Sequence, residues 1–158
     1  RILNEYLTAM TKVIFEHGGT IDKFVGDAIM VIFGAPTETP ARAQAEAATK
    51  CALAMQACIQ SLNQHWDDAE VGELKMRIGI HQGPAVVGSF GSEIRSDYTA
   101  IGPTVNLASR IESVCEPGHV YISGEVCDFL PESSAETAGV FNLKGIATEQ
   151  RLYRLMAQ

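Results

Sequence analysis

Leu3, Tyr6, Leu7, Met10, Val13 and Ile14 recur at steps of three and four, a spacing that predicts an amphipathic helix. His17-Gly18-Gly19 stops it. The stretch GTIDKFVGDAIMVIFGAP, from Gly19 to Pro36, reads as two apolar strands joined at Val25-Gly26-Asp27. Pro36 to Pro40 is a loop, and a long helix follows from Ala41 to Trp66. Its inward stripe is Ala48, Cys51, Met55, Ile59, Leu62 and Trp66, with His65 a solvated neighbour. In KMRIGIHQG, Met76, Ile78 and Ile80 alternate with Arg77, Gly79 and His81, which predicts a half-buried strand with His81 as a structural residue at its end. GPAVVGSFG continues as strand and Gly-rich turn. GPTVNLASRIESV is a helix with Pro103 near its start, where a missing N–H costs nothing. HVYIS is a strand, GEVCDFL a short helix, and VFNLKG with RLYRLMA a closing pair of strands.

Hairpins dominate this order, and the helices can cover one face of a mostly antiparallel sheet. The expected architecture is therefore α+β: a ferredoxin-like antiparallel sheet with helices packed on it. No repeat, linker or low-complexity segment divides the chain, so residues 1–158 form one domain.

Composition narrows the function. Hydrophobic residues make up 46% and charged residues 20%, enough for a globular core. The formal net charge of −7 argues against a nucleic-acid or acidic-membrane surface, so an anionic ligand needs a local cationic pocket or metal ions. Cys51, Cys58, Cys115 and Cys127 form no CxxC pair and read as reduced thiols. The longest apolar run, Ala28 to Phe33, is too short to cross a bilayer. Nothing resembles a signal peptide. The expected location is the cytoplasm, or a cytoplasmic domain of a larger protein.

Three polar groupings carry candidate chemistry. Lys23 and Asp27 flank the turn of a hairpin otherwise built for burial. Turn chemistry explains Gly26-Asp27 but leaves Lys23 unexplained. Asn106 and Arg110, four apart, share one helix face beside the apolar face of Leu107, Ala108, Ile111 and Val114. Such a pair is also common on solvated helices. Lys144 in NLKG is a cation at a turn.

Taken together, TIDKFVGDAIMVIFGAP, RIGIHQGPAVVGSFGSEIRSDYTAIGPTVNLASRIE, LKGI and YRL resemble a class III nucleotidyl cyclase catalytic domain over essentially the whole chain. The likeness is to the prokaryotic subgroup with Thr in DYTAIG. The resemblance implies an adenylate cyclase that converts ATP to 3′,5′-cyclic AMP and pyrophosphate, in a head-to-tail homodimer with active sites between protomers. It implies that Asp27 is one of two carboxylates holding two divalent ions, Mg²⁺ or Mn²⁺, and that Lys23 selects adenine in the other site of the dimer. Thr99 would meet the adenine edge where other subgroups use Asp. Asn106 would orient the ribose, Arg110 would stabilise the α-phosphoryl group, and Lys144 would meet the terminal phosphates. The family's first metal-binding Asp lies on a strand before the first helix, and that strand is expected to be absent here, leaving the domain N-terminally incomplete and poorly active alone. An upstream regulatory domain and a bicarbonate response are further implications.

Three other readings stand beside this one. A guanylate cyclase commonly presents Glu where Lys23 stands. A diguanylate cyclase shares the two-metal chemistry, but Gly18-Gly19 is followed by Thr20 and no acidic loop. A catalytically incomplete nucleotide-binding or dimerisation module would keep the fold without turnover.

Overall fold

The computed structural model describes residues 2–66, 72–91 and 96–157. The first helix, α1 (Ile2–Glu16), buries Met10 and Ile14. It ends at Gly18, whose φ of 79° is the left-handed conformation that glycine adopts without strain. The hairpin follows as β1 (Thr20–Val25) and β2 (Ala28–Ile32). Gly26 stands at the first of the two loop positions with φ 62° and Asp27 keeps ordinary backbone angles, the pattern of a type II′ hairpin turn. The pairing is irregular at one point. Ile21 faces Val31 and Lys23 faces Met30, so Asp22 is an extra residue in a β-bulge.

Helix α2 (Ala41–His65) turns Ala45, Thr49, Cys51, Ala52, Met55 and Ile59 inward. Met10, Ile14, Cys51, Met55 and Ile59 form one core cluster, against which the hairpin's Ile21, Ile29, Val31 and Phe33 pack. Trp66 closes the helix half-buried, its indole N–H donating to the Glu5 carboxylate, while His65 is exposed. All four cysteines are free. Burial pushes the Cys51 and Cys115 thiols up to about 11, so both behave as small hydrophobes.

A four-stranded sheet forms the other half, in the order β3 (Ile78–Ile80), β6 (Val120–Ser123), β8 (Gln150–Leu155), β7 (Ala135–Phe141). The pairs β6–β8 and β7–β8 are antiparallel, but β3–β6 is parallel. Helix α3 (Pro103–Val114) lies in the connection between them, the kind of crossover a parallel pair requires. The short α4 (Gly124–Cys127) follows β6, which is buried along its whole length. Two core clusters flank the sheet: Ala45, Ala52, Val120, Ile122, Val126 and Leu155 on one side, and Leu107, Ile111, Cys115, Tyr121, Leu143 and Leu152 on the other.

The α+β class holds, with three adjustments to the reading from sequence. The strands form three sheets among the described residues, one of them the antiparallel pair β4 (Val86–Gly91) and β5 (Ser96–Ile101). Strand β5 has no clean alternation to announce it, because Tyr98 and Ile101 are exposed while Thr99 and Ala100 are buried. The segment VFNLKG is strand only through Phe141. Leu143 is drawn into the core and the chain leaves the ladder in a turn closed by the Ile146 N–H donating to the Leu143 carbonyl at 3.1 Å.

Gly79 on β3 is where α3 seats. A Cβ there would stand 2.8 Å from Glu112 Cα and 2.9 Å from the Ala108 carbonyl oxygen, both helix backbone. Gly79→Ala is therefore expected to lower stability by about 1–3 kcal/mol, the usual cost of overpacking. Urea unfolding of the two proteins measures it. An unchanged midpoint would mean that α3 is free to shift away from the strand.

Candidate active site

The bulge on β1 sets the geometry of the first group of residues. It turns Asp22 toward β5, where the carboxylate is covered to 2% exposure and accepts the Thr99 hydroxyl at 2.7 and 2.9 Å through its two oxygens. The Ala100 N–H donates to the same carboxylate at 3.0 Å. Lys23, with half of its side chain exposed, sets its ammonium 3.9 Å from Asp22 and donates to Thr99 Oγ1 at 3.4 Å. Two residues that sequence reading could link only through a family likeness, Lys23 and Thr99, thus meet across 76 positions of chain. Asp22 was missed, although the sequence held a signal for it. Two successive charged residues in an apolar strand point to opposite faces, so one of them must be buried and must find partners.

Asp27 lies elsewhere. It is exposed at the hairpin tip and lines a cleft with Ile2, Leu3, Tyr6, Ile59, Leu74, Lys75 and Met76. Tyr6 donates its hydroxyl to Met76 Sδ at 3.3 Å, and its phenol is pushed up first by burial and then by the Asp27 charge. The hairpin presents Lys23 toward β5 and Asp27 toward α1.

Asn106 and Arg110 are held by the residues that follow them. Leu107 and Ile111, four apart on α3, are buried in the core, which leaves Asn106 exposed and Arg110 half-buried on the adjoining face. Lys144 is exposed one residue after Leu143, which packs into the cluster that contains Leu107 and Ile111. One core cluster therefore anchors both the helix bearing Asn106 and Arg110 and the turn bearing Lys144. His81 serves the scaffold: its Nδ1 and the Ser123 hydroxyl share a hydrogen bond of 2.8 Å, and burial lowers its pKa, partly offset by Glu125.

Among the described residues no three metal-ligating side chains gather. Asp27 offers exposed oxygen ligands, the donor type that hard divalent cations take. That fits an ion arriving with a nucleotide's phosphates and sharing one protein carboxylate, the usual manner of Mg²⁺. It does not fit a cation caged by protein alone.

The arrangement is a polar corner at Lys23–Thr99, a carboxylate at the hairpin tip and cationic groups on α3 and in the turn after β7. Comparison with known proteins gives it a context. Adenylate cyclase 1 of Rhizobium meliloti is 40% identical over 113 residues, covering 72% of this chain and 17% of that protein. The crystal structure of the adenylyl cyclase CyaB from P. aeruginosa superimposes with a TM-score of 0.94 at 38% identity, covering 99% of this chain and 81% of the other. A solved guanylyl cyclase gives 0.88 at 36% identity, with 98% and 78% covered. The chain thus spans less than a fifth of the length of the first of these relatives. The adenylate and guanylate cyclase catalytic domain matches residues 1–157, and the chain belongs to that class III cyclase family.

Proposed function

We propose that this domain cyclises ATP to 3′,5′-cyclic AMP and pyrophosphate within a head-to-tail homodimer. The observation that carries the choice of nucleotide is the meeting of the Lys23 ammonium and the Thr99 hydroxyl at 3.4 Å. Adenine N1 is an acceptor and takes a proton donor such as Lys23. Guanine N1 carries a hydrogen, and a donor facing a donor leaves both unpaired at a cost of about 1–3 kcal/mol.

In the reaction the ribose 3′-oxygen attacks the α-phosphorus, the bond to the β-phosphate oxygen breaks, and pyrophosphate leaves as the hydroxyl proton is lost. Asn106 orients the ribose, and positioning carries much of phosphoryl transfer. Arg110 faces the α-phosphoryl group with a permanently charged fork that matches phosphate geometry and stabilises the growing charge. Lys144 meets the terminal phosphates. Asp27 would be one of the two carboxylates that hold the divalent cations, Mg²⁺ or Mn²⁺. When bound, these supply neutralisation of the triphosphate and a lowered pKa for a coordinated hydroxyl.

Lys23 and Asp27 then serve different sites of the dimer. Their separation on the hairpin supports this, as do the exposed apolar side chains of Phe24, Val25, Val86, Tyr98 and Ile101, which a partner chain would cover. The short span relative to the curated relatives supports a place in a longer protein with a regulatory domain. A response to bicarbonate and a cytoplasmic location complete the reading. Among the described residues no helix is long and apolar enough to cross a membrane.

Two experiments test these assignments in the full chain. Arg110→Ala is expected to lower kcat roughly 10²–10³-fold with little change in KM, because the contact strengthens in the transition state. Steady-state kinetics with ATP measures it, and a pure KM effect would reduce Arg110 to a substrate-binding residue. Mixing inactive Lys23→Ala and Asp27→Ala chains is expected to restore part of the activity. One site of each heterodimer escapes both lesions while its sister carries both. No recovery, with subunit exchange demonstrated, would place the two residues in the same site.

A further inference from the structure

Thr99 has one hydroxyl hydrogen and two lone pairs, and what it offers a ligand depends on where that hydrogen goes. Its two closest polar neighbours are the oxygens of Asp22, at 2.7 and 2.9 Å, and an ionised carboxylate only accepts. The hydrogen is therefore committed to Asp22. The Ala100 N–H, at 3.0 Å from the same carboxylate, occupies another of its acceptor positions and holds it in place. One lone pair of Thr99 takes the Lys23 ammonium at 3.4 Å, and the other remains as an acceptor.

We infer that Asp22 is a specificity-determining positioning residue: by holding the Thr99 proton it makes that hydroxyl an acceptor toward the bound base. This rests on the proposed role of Lys23 and Thr99 as the base-reading pair. Adenine presents an exocyclic amino donor at C6 and matches an acceptor. Guanine presents a carbonyl oxygen there and meets a lone pair instead. Lys23 reads the ring nitrogen as a donor, and Asp22, through Thr99, reads the neighbouring position as an acceptor. The β-bulge is what makes this possible. Regular pairing through Ile21–Lys23 would give Asp22 a ladder partner on β2, whereas the extra residue turns its side chain toward β5.

The test uses the full chain and the non-cyclisable 3′-deoxy forms of ATP and GTP, with affinities measured by competition and kcat/KM for ATP and GTP measured alongside. In Asp22→Asn one oxygen becomes an amide donor. With Ala100 still taking the remaining oxygen, the amide faces Thr99 and frees its hydrogen to turn toward the base. The adenine-over-guanine ratio is expected to fall roughly 5- to 150-fold, in binding and in kcat/KM. In a Thr99→Val background the same change is expected to move the ratio by less than about twofold, since Asp22 acts through the hydroxyl. An unchanged ratio in Asp22→Asn, or equal loss of both nucleotides, would make Asp22 a scaffold residue only. A shift that persists beside Thr99→Val would route its effect through Lys23 and overturn the inference. Should Asp22→Asn fail to fold, Thr99→Ser and Thr99→Val decide: Ser keeps the committed hydroxyl and should retain the preference, Val should lose it, and equal behaviour of the two would refute the idea. If the unsubstituted chain shows no adenine preference, the proposed base reading falls first and this inference with it. That outcome is distinct because it is seen before any substitution.

Discussion

A carboxylate with 2% of its side chain exposed cannot stand without partners, and Asp22 is such a group. Leaving a buried charge uncompensated costs about 3–5 kcal/mol, a large share of a domain's net stability. Asp22 sits in an apolar hairpin, and its partners come from β5: a hydroxyl and a backbone N–H, with the Lys23 ammonium alongside. That requirement ties the first hairpin to the β4–β5 pair, two units that share no strand ladder among the described residues. It also fixes the relative positions of Lys23 and Thr99. The corner proposed to read the base is thus a by-product of satisfying one buried charge.

The remaining groups are placed by apolar packing. Leu107, Ile111 and Leu143 converge in one cluster with Tyr121 and Leu152, and each of the three has a polar neighbour in sequence: Asn106, Arg110 and Lys144. Gly79 lets the α3 backbone approach β3 at a distance no side chain would permit. Rigid anchors under exposed polar groups are what phosphoryl transfer needs, because its catalysis is mostly positioning and electrostatics.

Much of this was legible in the sequence. The periods of α1 and α2 and the Gly26-Asp27 turn are local features, and local features can be read from residue spacing. Long-range pairings could not be read so. The parallel β3–β6 pair depends on a crossover, and β5 has exposed apolar side chains that hide its alternation. Alternation signals that one of Asp22 and Lys23 is buried, but the partners of Asp22 lie on β5, 77 and 78 positions away, and the bulge that turns Asp22 toward them is not written in the spacing. The chemistry of Lys23, Asp27, Thr99, Asn106, Arg110 and Lys144 was suggested by likeness to a family. Within the chain, geometry joins Lys23 to Thr99 and separates both from Asp27.

That separation is the centre of the account, and a crystal structure of the chain with a non-cyclisable ATP analogue and Mn²⁺ tests it most directly. Adenine is expected against Lys23 and Thr99 of one protomer, with the metal-bound triphosphate against Asp27 of its partner. A nucleotide held with its base and its metal on Lys23, Thr99 and Asp27 of a single protomer would contradict it.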